Sequence, residues 1–221
     1  MPAFTTPSRD KVKFHPTDGP DAADVEAAWP VLTNPEKQRA LRFHFERDRH
    51  RWVRGRAWIR QELGRALDQS ADSVTIAAEP GGRLFLPGHP GFDFNLSHTG
   101  GWIALGICQD GRIGVDIETV DPTFPALEIA AEFFLPEERE WISHGAVDRF
   151  FHLWTAKEAL MKASGRGMSL PPDKILVTIR DAHPAMVTNL ETRDTFPVTT
   201  WPGPSDTIAA VVRVTGGEHI Y

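Results

Sequence analysis

The run Ile113-Gly114-Val115-Asp116-Ile117-Glu118 constrains this chain more than any other stretch. Successive side chains of a β-strand point to opposite faces, so Ile113, Val115 and Ile117 enter a core while Asp116 and Glu118 stand side by side on the other face. Gly114 has no Cβ and permits close approach of another backbone. Charges are uncommon in so hydrophobic a strand unless they have partners. About forty residues later, Trp154-Thr155-Ala156-Lys157-Glu158-Ala159-Leu160-Met161-Lys162 has helical periodicity. Its Trp154, Glu158 and Lys162 share one stripe, which sets a third carboxylate and an ammonium at the margin of a core. Three hard oxygen donors and a lysine are the side chains that Mg²⁺ and phosphate ask for.

Each part also has an ordinary structural explanation. Asp116 and Glu118 would be unremarkable on the wet face of an edge strand. Glu158 and Lys162, four residues apart, would stabilise an exposed helix by a few tenths of a kcal/mol, roughly, with no further role. In Asn95-Leu96-Ser97-His98-Thr99-Gly100-Gly101, small polar groups and glycines at a strand end can face an anion, and a turn with a capping serine fits nearly as well. His98 is a phosphate donor or a surface histidine on equal terms. Neither a Gly-x-x-x-x-Gly-Lys-Ser/Thr loop nor a Gly-x-Gly-x-x-Gly fingerprint occurs. Cys108 is the only cysteine, which excludes a disulfide framework and multi-cysteine zinc sites and makes a reducing compartment the simplest setting.

A chain of 221 residues buries about 70% of its unfolded surface, enough for a real core. Residues 1–33 carry weak strand signals around Val12 to His15. A helix is expected from Asn34 as N-cap with Pro35 in first position, then two helices or one interrupted helix to Gly64 or Leu67. Strand signals follow at 73–78, 83–86, 92–96 and 101–108, the last two forming a hairpin through Ser97 to Gly100. Helices are expected over 124–134, 136–143 and 147–164, the last capped by Gly165, and strands over 174–180, 185–190, 196–201 and 207–214. The order of helices followed by strands therefore occurs twice. The sequence predicts an α+β fold of two similar halves, residues 1–111 and 112–221, with a ligand where they meet. Between Glu36 and Arg65 ten basic residues face four acidic ones, leaving +6 there and −12 elsewhere within a net charge of −6. An anion therefore belongs near the first half, although most of these arginines read as solvated helix faces. No stretch is long and apolar enough to span a bilayer, and a soluble cytoplasmic protein is expected.

Taken together, Phe94 to Gly100, Ile113 to Glu118, Phe133-Phe134 with Glu138, and Phe150 to Lys162 closely resemble the Sfp-type 4′-phosphopantetheinyl transferases in order and spacing. The resemblance implies a pseudo-dimer of two α/β halves, each a small antiparallel sheet packed with helices, holding coenzyme A between them with Mg²⁺ on its pyrophosphate. The phosphopantetheine arm would pass to a serine of an apo acyl or peptidyl carrier protein, releasing adenosine 3′,5′-bisphosphate. Carried over by motif, Asp116, Glu118 and Glu158 would hold the metal and Lys162 would contact the transferred phosphate; a carboxylate held against that metal could take the serine proton directly or through water, and Glu158 is the first choice. Ser97 and His98 would bind coenzyme A phosphates, Lys37 and Arg39 the 3′-phosphate, and Arg83 the adenine side. Arg83 stands where the family usually has Lys followed by Pro. A monomer with neither nucleic-acid nor membrane partners is expected. The rival readings are a metal-dependent nuclease, which needs a basic aromatic face beside the carboxylates, and a non-catalytic carrier-binding module.

Overall fold

The computed structural model describes residues 11–18 and 22–215; the ends of the two expected halves, 1–10 and 216–221, and the segment 19–21 lie outside it. The element order is β1 (Val12–Pro16), α1 (Ala22–Ala28), α2 (Asn34–Ala40), α3 (Glu46–Leu67), β2 (Ala77–Ala78), β3 (Leu84–Phe85), β4 (Phe92–Thr99), β5 (Trp102–Gln109), β6 (Arg112–Thr119), α4 (Ala126–Phe133), α5 (Pro136–Ser143), α6 (Ala146–Ala163), β7 (Ile175–Arg180), β8 (His183–Asn189), β9 (Thr195–Pro202) and β10 (Thr207–Val214). A three-stranded antiparallel sheet, β1-β5-β4, belongs to the first half, and a five-stranded one, β6-β10-β9-β8-β7, to the second. The fold is α+β.

Packing follows from strand parity. Ile113, Val115 and Ile117 are buried with Ala104, Cys108 and Trp201 in a core between the two sheets. Ala209 and Val211 of β10 join that core, while Ile208, Ala210 and Val212 face α6 on the other side. This explains why Thr207–Val214 is apolar nearly throughout: it is a central strand covered on both faces. On the first half's outer side, Ile59 and Leu63 of α3 pack against Phe94 and Leu105. The layers therefore run helix, sheet, sheet, helix, and each fully buried aliphatic side chain contributes about 1.5–3 kcal/mol of transfer free energy.

Several local expectations shift for identifiable reasons. Thr33, not Asn34, caps α2, because its hydroxyl and amide both meet the Glu36 carboxylate in a capping box. The 92–109 hairpin is tighter than expected. Strand β4 continues through Thr99, which pairs with Trp102, and the turn is Gly100-Gly101 with Gly100 at φ 50°. Ser97 and His98 thus sit on a strand. Only Ala77–Ala78 of the 73–78 stretch is strand; Val74 points into the core while the backbone before it turns, tied to the buried Arg60. Helix α1 was not expected from sequence, because its Ala-rich run of seven residues is short and lacks strong periodicity.

Candidate active site at the seam between the halves

The side chains of one face of β4 join the halves. Asp93, Asn95 and Thr99 each accept a hydrogen bond from a main-chain N–H of β6, from Ile113 at 2.7 Å, Val115 at 2.9 Å and Thr119 at 2.9 Å. The offset is twenty residues each time. An edge strand's free amides are thereby satisfied by side chains instead of by a further strand. Ser97, the remaining polar residue in that alternation, donates to Asp116 Oδ1 at 2.8 Å.

Asp116 is the centre of the site. It is 2% exposed. The Lys162 ammonium donates to Asp116 Oδ1 at 2.7 Å and to Ser97 Oγ at 2.8 Å, closing a triangle from three elements. Asp116 Oδ2 is buried with no hydrogen-bond partner among the described residues. Lys162 reaches this point because α6 lies directly on β6: a Cβ on Gly114 would stand 1.9 Å from the Ala159 carbonyl oxygen. The even-numbered face of β6, bearing Gly114, Asp116 and Glu118, is therefore the face against the helix. Burial, then the Asp116 charge, pushes Glu118 up to about 7, against the pull of Lys162 and a 3.4 Å hydrogen bond from Thr99. Burial and Asp116 likewise raise Glu158 above the usual carboxylate range. Three carboxylates thus share a poorly solvated space with one lysine, and like-charge crowding of this kind is relieved by a cation or by protons.

Beside the triangle lies a cavity of about 900 Å³ in the first half, walled by α2, α3, the 72–76 loop and β4–β5. His98 lines it, one residue from Ser97, so cavity and carboxylates meet at that dipeptide. Surrounding protein and the Lys162 charge hold the His98 imidazole below its ordinary value. Arg39, Arg51, Arg56 and Arg60 also line the cavity. Glu36 engages two of them, accepting from Arg56 and, at 2.7 Å, from Arg60, which in turn donates to the carbonyls of Ala71 and Val74 at 3.0 and 2.8 Å. Arg39 lies 5.6 Å over the Trp52 ring. The cavity wall is thus built on one buried ion cluster.

Comparison with known proteins matches residues 112–212 to the 4′-phosphopantetheinyl transferase superfamily and residues 19–109 to the N-terminal region of 4′-phosphopantetheinyl transferases. The chain is 30% identical over 167 residues to the 4′-phosphopantetheinyl transferase Sfp of Bacillus subtilis, 73% of either chain. It is 31% identical over 208 residues to the 4′-phosphopantetheinyl transferase HetI of Nostoc sp., covering 91% of this chain and 85% of HetI. A further 4′-phosphopantetheinyl transferase of Bacillus subtilis is 31% identical over 169 residues, 74% of either chain. The chain belongs to the 4′-phosphopantetheinyl transferases.

In this transferase, Ser97, Asp116 and Lys162 touch one another, Glu118 and Glu158 lie within their electrostatic reach, and His98 and Arg39 face the cavity. Lys37 is on α2 but does not line the cavity, and Arg83 lies in the seam, off the cavity wall. Asp116, Glu118 and Glu158 fit a hard divalent cation by donor type, and Asp116 Oδ2 is a buried oxygen with no hydrogen-bond partner among the described residues. Among the described residues no three His, Cys, Asp or Glu side chains are already gathered at metal-binding spacing. Sequence reasoning missed Asp93 and read Asn95 as one of the polar groups facing an anion rather than as a tie to β6, although the alternation of polar residues at 93, 95, 97 and 99 against Phe92, Phe94 and Leu96 was the signal. It also missed Lys157, which is fully buried and donates to Glu138 at 2.7 Å and to the carbonyls of Pro172 and Ile175 at 2.9 and 2.7 Å. That pair anchors α6 to α5 and to the start of β7 one residue before Glu158.

Proposed function

We propose that the protein transfers the 4′-phosphopantetheine arm of coenzyme A to a serine of an apo acyl or peptidyl carrier protein, with Mg²⁺, releasing adenosine 3′,5′-bisphosphate. The observation that carries the reading is the Ser97–Asp116–Lys162 triangle, flanked by Glu118 and Glu158 and set at the rim of a cavity lined by arginines. Coenzyme A is a long dianionic pyrophosphate with a nucleotide at one end. The cavity suits the nucleotide, with Arg39 on its wall assigned to the 3′-phosphate and Ser97 and His98 to the pyrophosphate; Lys37, off that wall, is left without a phosphate role.

The chemistry asks for a proton acceptor, a cation and alignment. The carrier serine's oxygen attacks the phosphorus nearer pantetheine, and the bond from that phosphorus to the bridging oxygen breaks, so the bisphosphate leaves with the electron pair. Glu158, whose carboxyl lies above the usual range, is well suited to accept the serine proton. The Lys162 ammonium, aimed by Asp116 and Ser97, meets the charge that grows on the phosphate as the bond opens. His98, held neutral near pH 7, serves as a hydrogen-bond donor rather than as a charge. Asp116, Glu118 and Glu158 would hold the Mg²⁺, which when bound neutralises the pyrophosphate. We take the enzyme to act as a cytoplasmic monomer.

The test is intact-mass spectrometry of apo carrier proteins incubated with the protein, coenzyme A and Mg²⁺. A gain of one phosphopantetheine, lost with EDTA and in Asp116→Ala, is expected. A folded preparation that modifies neither acyl nor peptidyl carriers would remove the proposal.

A further inference from the structure

Arg83 has a position that substrate contact does not explain. Its side chain is 7% exposed and it is not on the cavity wall. One guanidinium nitrogen donates to Asp93 Oδ2 at 2.5 Å and to the Ile113 carbonyl at 2.9 Å, and another donates to the Lys162 carbonyl. Asp93 Oδ2 also accepts the Ile113 N–H, so the guanidinium closes a small network across the seam. Nε has no partner among the described residues.

The three residues held are on β4, β6 and α6, the same three elements that supply Ser97, Asp116 and Lys162. We infer that Arg83 is a positioning residue, which sets the reach of Lys162 to Asp116 and Ser97 by tying those three elements together behind the site. Strands carry a displacement along their length, and Ser97 and Asp116 lie only four and three residues from the held positions. At α6 the tie is to the carbonyl of Lys162 itself, which lies in the last turn and also accepts the Gly165 N–H at 3.1 Å, and there the negative end of the helix dipole favours a cation. A lysine would make only part of this network. A single ammonium is a point donor, whereas the planar guanidinium spans acceptors from three directions. The arginine at this position is thus matched to a load that a residue contacting only the nucleotide would not carry.

The activity arm of the test rests on the proposed transferase reaction; a second arm does not. In Arg83→Met, kcat for carrier modification is expected to fall about tenfold or more, as small misplacements of reacting groups do. KM for coenzyme A should stay within about twofold, because no substrate contact is removed. In a Lys162→Met background the same change should cost less than about twofold, since both variants remove one function. Arg83→Lys should fall between wild type and Arg83→Met. Independently of turnover, amine labelling of native protein read by peptide mass spectrometry should modify Lys162 about threefold faster in Arg83→Met, because the ammonium is less often held. If Arg83→Met does not fold, Asp93→Asn, which weakens the same network while keeping its shape, is read in its place. A raised KM with kcat preserved would make Arg83 a coenzyme A contact and overturn the inference, as would fully multiplicative losses with Lys162→Met or unchanged Lys162 labelling. Wild-type protein that modifies no carrier would sink the transferase reading, while the labelling would still decide the role of Arg83.

Discussion

At the scale of single residues, the site works by crowding. Asp116 carries two hydrogen bonds on one oxygen and none on the other, and burial together with its charge raises both Glu118 and Glu158. A carboxylate so placed is a better proton acceptor than one in water, which is the property a base for serine requires. Glu158→Gln keeps the shape of α6 and removes that basicity. It should lower kcat by about a hundredfold or more while coenzyme A affinity, measured by calorimetry, changes by less than about fivefold. A variant that turns over at the wild-type rate would assign the proton to another group. The shared faces of the carboxylates and of Lys162 were legible in sequence because strand parity and helical spacing put like residues on like faces, whereas Ser97 was read into a turn and lies on strand β4. Their mutual contacts were not, since parity says which face a side chain takes but not which element covers it.

At the scale of elements, two devices hold the site. The first is the fit of α6 on β6 at Gly114, where any side chain would overlap the helix backbone. The second is Glu36, which links the start of α2 to α3 and, through Arg60, to the loop that walls the cavity. Burial alone would raise Glu36, but the Arg60 hydrogen bond, the Thr33 N–H and Arg56 overcome it and hold the carboxyl down to about 2. A depressed acid contributes stability that is complete above its unfolded value and is lost as pH falls toward the folded one, here from about 4.5 to about 2. Glu36→Gln should therefore cost on the order of 3 kcal/mol at pH 7, read from urea midpoints. The gap between variant and wild type should shrink by more than half at pH 3. A gap of equal size at both pH values would mean that the carboxylate's charge is not what stabilises the clamp. The capping role of this stretch was visible in the sequence, displaced by one residue. The partners of Glu36, twenty and twenty-four positions away, were hidden among ten basic residues that local pattern does not distinguish.

At the scale of the whole molecule, the repeated order of helices and strands announced two units, and the structure shows how they become one. Val115 and Ile113 approach Gly106 of β5, where a Cβ would stand 2.4 Å from Val115 Cγ1, and the core between the sheets draws side chains from both halves. Each half thus buries the inner face of the other's sheet. Separation would expose that apolar core and exchange the hydrogen bonds from the amides of Ile113, Val115 and Thr119 to β4 for bonds to water, at about 0.5–1.5 kcal/mol net for each. Two halves so joined should lose structure in one step. Hydrogen exchange read by mass spectrometry across a urea series should show β5 and β10 losing protection at the same midpoint. Asn95→Ala, which removes the acceptor for Val115, should lower both midpoints together. If β10 kept its protection at a urea concentration where β5 had lost it, the halves would be independent folding units, and the seam that carries the site would be an interface able to open while both remain folded.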